Sequence, residues 1–363
     1  MPLRTHTGEH AELLKGRGAA INPEGRFESV VREAVDDGWD TPPDEDSPRL
    51  VTTVTQEIAK SIIAHNDSPD VGFSQSINPY RGCEHGCIYC YARPSHAYVN
   101  LSPGLDFETR LFAKVNAAEL LREALAKPGY HCDVIALGMN TDCYQPIEKE
   151  YRITRGILEV LAECEHPVGM VTKSAMVERD LDLLQAMAQK NLVSVYVTIT
   201  TLDHEIARRL EPRAAAPARR LQVIKKLSEA GVPCGVMVAP VIPFLTDSGM
   251  EKTLEAAREA GALGAGYVLL RLPYEIKDLF KDWLTHHYPL KAQHVMSRVK
   301  AMREGKEYQS EFGSRMRGSG EYADLLAQRF KKACQRLGLN QRDWALDTAR
   351  FKRPQRGGQM ALF

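Results

Sequence analysis

Three cysteines in this chain stand close enough together to act as one chemical unit. They lie in Gly82-Cys83-Glu84-His85-Gly86-Cys87-Ile88-Tyr89-Cys90-Tyr91, with the spacing C-x3-C-x2-C. A compact loop of this spacing brings three thiolates onto three irons of one cubane cluster, and Gly82 and Gly86 relieve backbone crowding where the chain wraps it. Three ligands leave the fourth iron open, as a catalytic metal centre requires. A structural zinc site instead takes four protein donors, and His85 or a remote cysteine would have to complete it. The remaining five of the eight cysteines, Cys132, Cys143, Cys164, Cys234 and Cys334, scatter singly. Eight are too few for a disulfide scaffold at 363 residues, so the distribution points to a metal site in a reducing compartment.

The motif resembles the signature of the radical S-adenosylmethionine (SAM) superfamily, C-x3-C-x-aromatic-C, with Tyr89 in the aromatic place. Asn78-Pro79-Tyr80-Arg81-Gly82-Cys83, with Tyr91 after the third cysteine, narrows the resemblance to the branch of spore photoproduct lyase and the bacterial proteins labelled putative DNA repair photolyases. It extends from about Gly16 to Leu339. The resemblance implies a 4Fe-4S cluster on Cys83, Cys87 and Cys90. It also implies SAM as the second cofactor, bound by the open iron and cleaved to methionine and a 5′-deoxyadenosyl radical, and an electron donor such as flavodoxin or ferredoxin. Residue by residue, it places Tyr89, Thr141, Lys173 and Thr198 at SAM, with Lys173 meeting the carboxylate as a flexible point charge. Spore photoproduct lyase has a hydrogen-donating cysteine in the loop after the second strand. Here Met139 takes that slot and Cys143 follows four residues later, so Cys143 is the tentative donor or the reaction differs.

The elements that must position these residues read as repeated βα units. Six short apolar, β-branched runs are expected as strands: Ser74–Tyr80, Asp133–Leu137, Val168–Thr172, Val193–Thr200, Pro233–Val238 and Ala265–Leu270. Between them lie amphipathic stretches, Ala117–Ala126, Thr154–Glu163, Asp180–Gln189, Arg219–Ala230 and Met250–Ala260. Right-handed crossovers wind such units into an α/β fold, expected as a partial six-stranded TIM-like barrel of the radical SAM type with an N-terminal arm and a C-terminal helical extension. Ligands gather at the carboxyl ends of its strands, where the cysteine loop, Thr141 and Lys173 fall. The expected divisions are an arm over residues 1–70 with little regular structure, a core barrel over 71–285, a basic helical extension over 286–350 and a tail over 351–363. Phe280 and Trp283 share one helical face, read as core, and adjacent His286 and His287 do not face one ligand together.

Charge is balanced overall but uneven along the chain. Residues 1–50 carry 6 Lys/Arg against 11 Asp/Glu, and residues 291–363 carry 16 against 7. The basic end suits a polyanion or a solvated helical face. Within it Arg303, Lys306, Tyr308, Arg315 and Arg317 interleave cations with an aromatic in a Gly-bearing segment, fit for phosphates and one stacked base or for packing on the barrel mouth. Gln359-Met360-Ala361-Leu362-Phe363 resembles the short peptide by which bacterial repair proteins dock on the sliding clamp. No run of about 18 apolar residues and no secretory signal order appears, so no membrane role and a cytoplasmic location are expected. The sequence thus favours SAM-dependent radical chemistry on a nucleic acid, in DNA repair or modification. The alternatives are the same chemistry on a small molecule, peptide or tRNA, and a non-catalytic zinc-binding protein.

Overall fold

In the computed structural model, described for residues 16–27, 51–341 and 345–354, ten strands form two sheets. They are β1 (Thr53–Glu57), β2 (Ile63–His65), β3 (Gln75–Ile77), β4 (Tyr80–Arg81), β5 (Arg110–Lys114), β6 (Ile135–Leu137), β7 (Val168–Thr172), β8 (Val193–Thr198), β9 (Cys234–Val241) and β10 (Gly264–Leu269). The larger sheet runs β10-β9-β8-β7-β6-β3-β2. Its six neighbours from β3 to β10 are parallel, and β2 joins the β3 edge antiparallel, Ile63 opposite Ile77.

The six parallel strands are those expected from the sequence, for a physical reason. Strands covered by helices lose the polar alternation of a half-exposed sheet and read as continuous apolar runs. Val193, Val195 and Val197 of β8, like Cys234, Val236 and Val238 of β9, are fully or almost fully buried. The crossover helices Ala117–Ala126, Ile153–Glu163, Leu181–Ala188, Pro217–Glu229 and Met250–Glu259 cover them. Their buried stripes, such as Val223, Ile224 and Leu227, join the strand residues in one cluster. The lone cysteines Cys164, Cys234 and Cys334 sit in this cluster as small hydrophobes.

Among the described residues of the amino-terminal arm, 51–70 hold two strands that were not expected. Val51-Thr52-Thr53-Val54-Thr55 is a β-branched run, and β1 pairs in parallel with β5, Thr53 opposite Arg110. β4 pairs with β5 antiparallel, Tyr80 opposite Ala113, so a three-stranded sheet stands beside the barrel where the cysteine loop begins. A second apolar cluster spans residue 286, joining Phe280, Trp283 and Leu284 of helix Ile276–His287 to Val295 and Val299 of helix Pro289–Ala301, and to Cys87, Ile88 and Tyr89. Met316 and Arg317 of the short helix Ser314–Arg317 share one cavity wall with Val71 and Phe73. The clamp-like residues Gln359, Met360, Leu362 and Phe363 lie outside the described residues. None of the described helices is long and apolar enough to cross a membrane.

Candidate active site

The cysteine loop leaves β4 and turns back on itself. Gly86 N donates to Cys83 O and Cys90 N to Cys87 O, while Cys83 N donates to Phe107 O and Ile88 N to Leu210 O. Gly86 has a φ of 66°, and a Cβ there would stand 2.7 Å from Glu108 Oε2. Only glycine combines that left-handed backbone with that approach.

Beneath the loop a buried ion pair fixes its carbonyls. Arg93 is fully buried and donates from Nε to Cys87 O at 2.9 Å, from Nη2 to Gly86 O, and from Nη1 to Gly104 O and Pro103 O. Its charge is balanced by Glu108, also fully buried, whose other bonds come from Gly18 N and Ala19 N, both at 2.9 Å. Gln145 adds a third brace, donating to Gly82 O and accepting from Glu84 N. These groups escape sequence reading because their partners are backbone atoms dispersed along the chain.

Cys83, Cys87 and Cys90 all line a cavity of about 630 Å³ at the carboxyl ends of the strands. Tyr89, Thr141, Lys173 and Thr198 line it too, so the structure brings four residues from four separate segments to one cavity. Cys143 does not. It is fully buried in the core, among the loop and strand residues behind the wall, whereas Met139 lines the cavity.

The electrostatics of this wall are set by buried pairs. Burial pushes the Cys87 thiol up to about 12 and raises Cys83 as well. Burial alone would lower Lys173, but the facing Cys87 and Glu211 outweigh it and raise it. Its Nζ lies 5.9 Å from the Tyr89 ring centroid. The Tyr89 hydroxyl donates to Glu211, which accepts from Thr200 Oγ1 at 2.6 Å and pairs with fully buried Arg220. Glu211 and Arg220 thereby gain a position: they anchor the aromatic residue of the cysteine motif from below. On the other side, burial would raise Asp142. The His85 ring at 3.4 Å, with bonds from Lys173 N and Thr172 Oγ1, holds it below the usual carboxylate range.

These residues fit the group that the motif implies. Three sulfurs on one buried wall suit soft iron, and a cubane offers each thiolate its own iron. A structural zinc site would take a fourth protein donor beside the three cysteines.

The basic segment divides. Arg303, expected at a nucleic-acid surface, is 1% exposed, and its guanidinium donates to the carbonyls of Leu270 and Arg315. Arg315 is bound to Asp70 and Ser68. Both are held in the structure, Arg315 by its acidic and hydroxyl partners and Arg303 through its two terminal nitrogens, with only its Nε unmatched, and neither lines the cavity. Arg317 alone of the three lines the cavity.

Comparison with known proteins agrees with the geometry. The chain is 40% identical over 219 residues to the uncharacterized protein Rv2578c of Mycobacterium tuberculosis, covering 60% of this chain and 64% of that one. It is 28% identical over 176 residues to the uncharacterized protein MJ0683 of Methanocaldococcus jannaschii, covering 48% and 63%. The match therefore spans somewhat under two thirds of each relative's length. Spore photoproduct lyase complexed with dinucleoside spore photoproduct superposes with a TM-score of 0.56 at 16% identity, covering 79% of this chain and 80% of that one, a likeness of fold. Residues 77–257 match the radical SAM superfamily, whose members use a 4Fe-4S cluster and SAM, and through that domain, which holds the cysteine loop and most of the cavity wall, the chain belongs to it.

Proposed function

We propose that this protein is a radical SAM enzyme acting on a nucleic acid, in repair or modification of DNA. The observation that carries the reading is the convergence of Cys83, Cys87 and Cys90 with Tyr89, Thr141, Lys173 and Thr198 on one cavity inside the radical SAM domain. The three cysteines would hold the cluster. When bound, the cluster and SAM together supply one electron and the 5′-deoxyadenosyl radical that takes a hydrogen atom from the substrate.

The protein's part is orientation and shelter. Lys173 holds a half-buried positive charge for the carboxylate of SAM, and Thr141 and Thr198 offer hydroxyls from the second and fourth strand ends. Thr141 Oγ1 already donates to Tyr80 O at 2.9 Å, so its lone pairs are what it presents. Cys83 and Cys87 are each 7% exposed, which keeps water from the sulfurs. A low-potential flavodoxin or ferredoxin would supply the electron. Support for the substrate class comes from the dinucleoside held by the structural neighbour of the same fold. Docking on a sliding clamp through Gln359, Met360, Leu362 and Phe363 rests on sequence alone.

The test is anaerobic purification, cluster reconstitution and reduction, then measurement of 5′-deoxyadenosine on addition of SAM. Formation in the native protein and none in Cys87→Ala is expected. A colourless protein that forms none under reduction would overturn the assignment.

A further inference from the structure

The cavity has a second half that cofactor residues do not explain. Thr141, Lys173 and Thr198 belong to the ends of β6, β7 and β8, whereas Arg271 follows β10 and Arg317 ends the short helix beyond it. Both arginines line the cavity. Arg271 lies over the Tyr91 ring, 5.1 Å from its centroid, and Arg317 over the Tyr267 ring at 4.4 Å. The Nε of Arg271 is buried and has no hydrogen-bond partner among the described residues. An unmet buried guanidinium donor costs free energy unless an acceptor arrives to satisfy it.

The carboxylates in the same wall are already committed. Asp70 accepts from Gly313 N at 2.6 Å and pairs with Arg315. Asp142 is taken by His85, Thr172 and Lys173 N. Neither arginine has an ion-pair partner among the described residues. Two planar cations, each stacked on an aromatic ring, thus face one cavity without a direct ion pair, Asp70 acting on Arg271 only at a distance, and oxyanions with bidentate geometry are what guanidinium groups recognise.

We propose that Arg271 and Arg317 form the substrate's anion subsite, receiving a backbone phosphate of single-stranded DNA whose adjoining nucleotide enters the cavity beside Tyr91. This deepens the functional reading above and rests on it for the identity of the reaction, but not for binding. The stacked rings suit a flipped or single-stranded nucleotide, since every base offers a π-face and the arginines supply the backbone charge.

The probe is a labelled short single-stranded DNA, compared with the same oligonucleotide bearing neutral methylphosphonate linkages, and binding is read by anisotropy. The native protein is expected to prefer the phosphodiester. Arg271→Gln and Arg317→Gln should each weaken binding by about ten-fold or more, as removal of a charge-assisted hydrogen bond implies. The double variant should lower the magnitude of the slope of log affinity against log salt by about 0.7 for each phosphate that is no longer neutralised. Equal binding of both oligonucleotides, or variants that bind like the native protein, would overturn the subsite. Loss of SAM binding with unchanged DNA binding would also overturn it, by assigning the arginines to the cofactor. Native protein that makes 5′-deoxyadenosine but does not discriminate sinks only this inference. Discrimination without cluster-dependent 5′-deoxyadenosine sinks only the functional one.

Discussion

Glu108 illustrates what a single residue contributes to the site without touching a ligand. Its carboxylate balances Arg93, whose guanidinium fixes the carbonyls of Gly86 and Cys87, and it also holds Gly18 N and Ala19 N. Breaking a buried pair from one side leaves an uncompensated charge, at a cost of about 3–5 kcal/mol. Glu108→Gln, nearly isosteric, should therefore lower unfolding stability in urea by about that amount and reduce iron retained after reconstitution. Unchanged stability would mean that Arg93 is neutralised by something other than Glu108. The cysteines themselves were legible in the sequence because their ligand spacing is local. Arg93 and Glu108, fifteen positions apart with no shared period, were not. Cys143 was misplaced for a related reason: sequence position after a strand does not say which side of the loop a side chain faces, and here Gly138 and Val171 O pack around the turn with Cys143 Sγ directed inward.

At the scale of elements, the parallel strands were legible because helix-covered strands read as short, largely apolar runs, clearest in β7, β8 and β9. β1 and β5 were harder to read, since Thr53–Glu57 and Arg110–Lys114 are polar or mixed and the strand signal of Val51–Thr55 lies next to acidic, Pro-bearing sequence. The rim of the cavity was not legible at all, because it joins residues 68–70 to residues 313–315. That clasp consists of Asp70 with Arg315 and Gly313 N, and Arg315 with Ser68. Asp70→Asn removes the charge while keeping the shape. It should speed amide hydrogen exchange across 313–317 by several-fold, because the clasp carries the segment's charged anchor and leaves mainly the Arg303 bond to Arg315 O to oppose local opening. Exchange unchanged from the native protein would show that the rim is held by the apolar wall rather than by the clasp. The same variant frees Arg315 at the cavity edge, so DNA affinity should rise or stay constant and not fall.

Across the whole molecule, two buried histidines couple stability to acidity. His96 packs beside the cysteine loop between Phe107 and Phe112, with Nε2 2.9 Å from Arg110 O. His166 lies between Tyr130 and Phe351, so it ties the segment 345–354 back to the barrel. Burial lowers both from 6.5 to about 4. Each stays neutral in the folded state while the unfolded chain takes up a proton below pH 6.5, so the unfolded state binds more protons throughout the window from 6.5 to 4. Stability is therefore full above pH 6.5 and falls as the pH drops, by up to about 1.4 kcal/mol per pH unit for each histidine and about 3 kcal/mol each over the window. Urea unfolding at pH 7.5, 6.0 and 5.0 checks this. His166→Gln should be less stable at pH 7.5, because the aromatic packing around the ring goes with it, yet show a weaker dependence on pH between 6.5 and 5 than the native protein, with His96 and His287, which burial also lowers to about 4, supplying the rest. Separate measurement of proteolysis near residue 351 locates the effect. Native protein should become cleavable there as the pH falls towards 5, before the core unfolds, because opening of the Phe351 segment exposes His166 and lets it take up a proton. An unaltered pH dependence in His166→Gln would place the acid sensitivity in the other depressed histidines, His96 and His287.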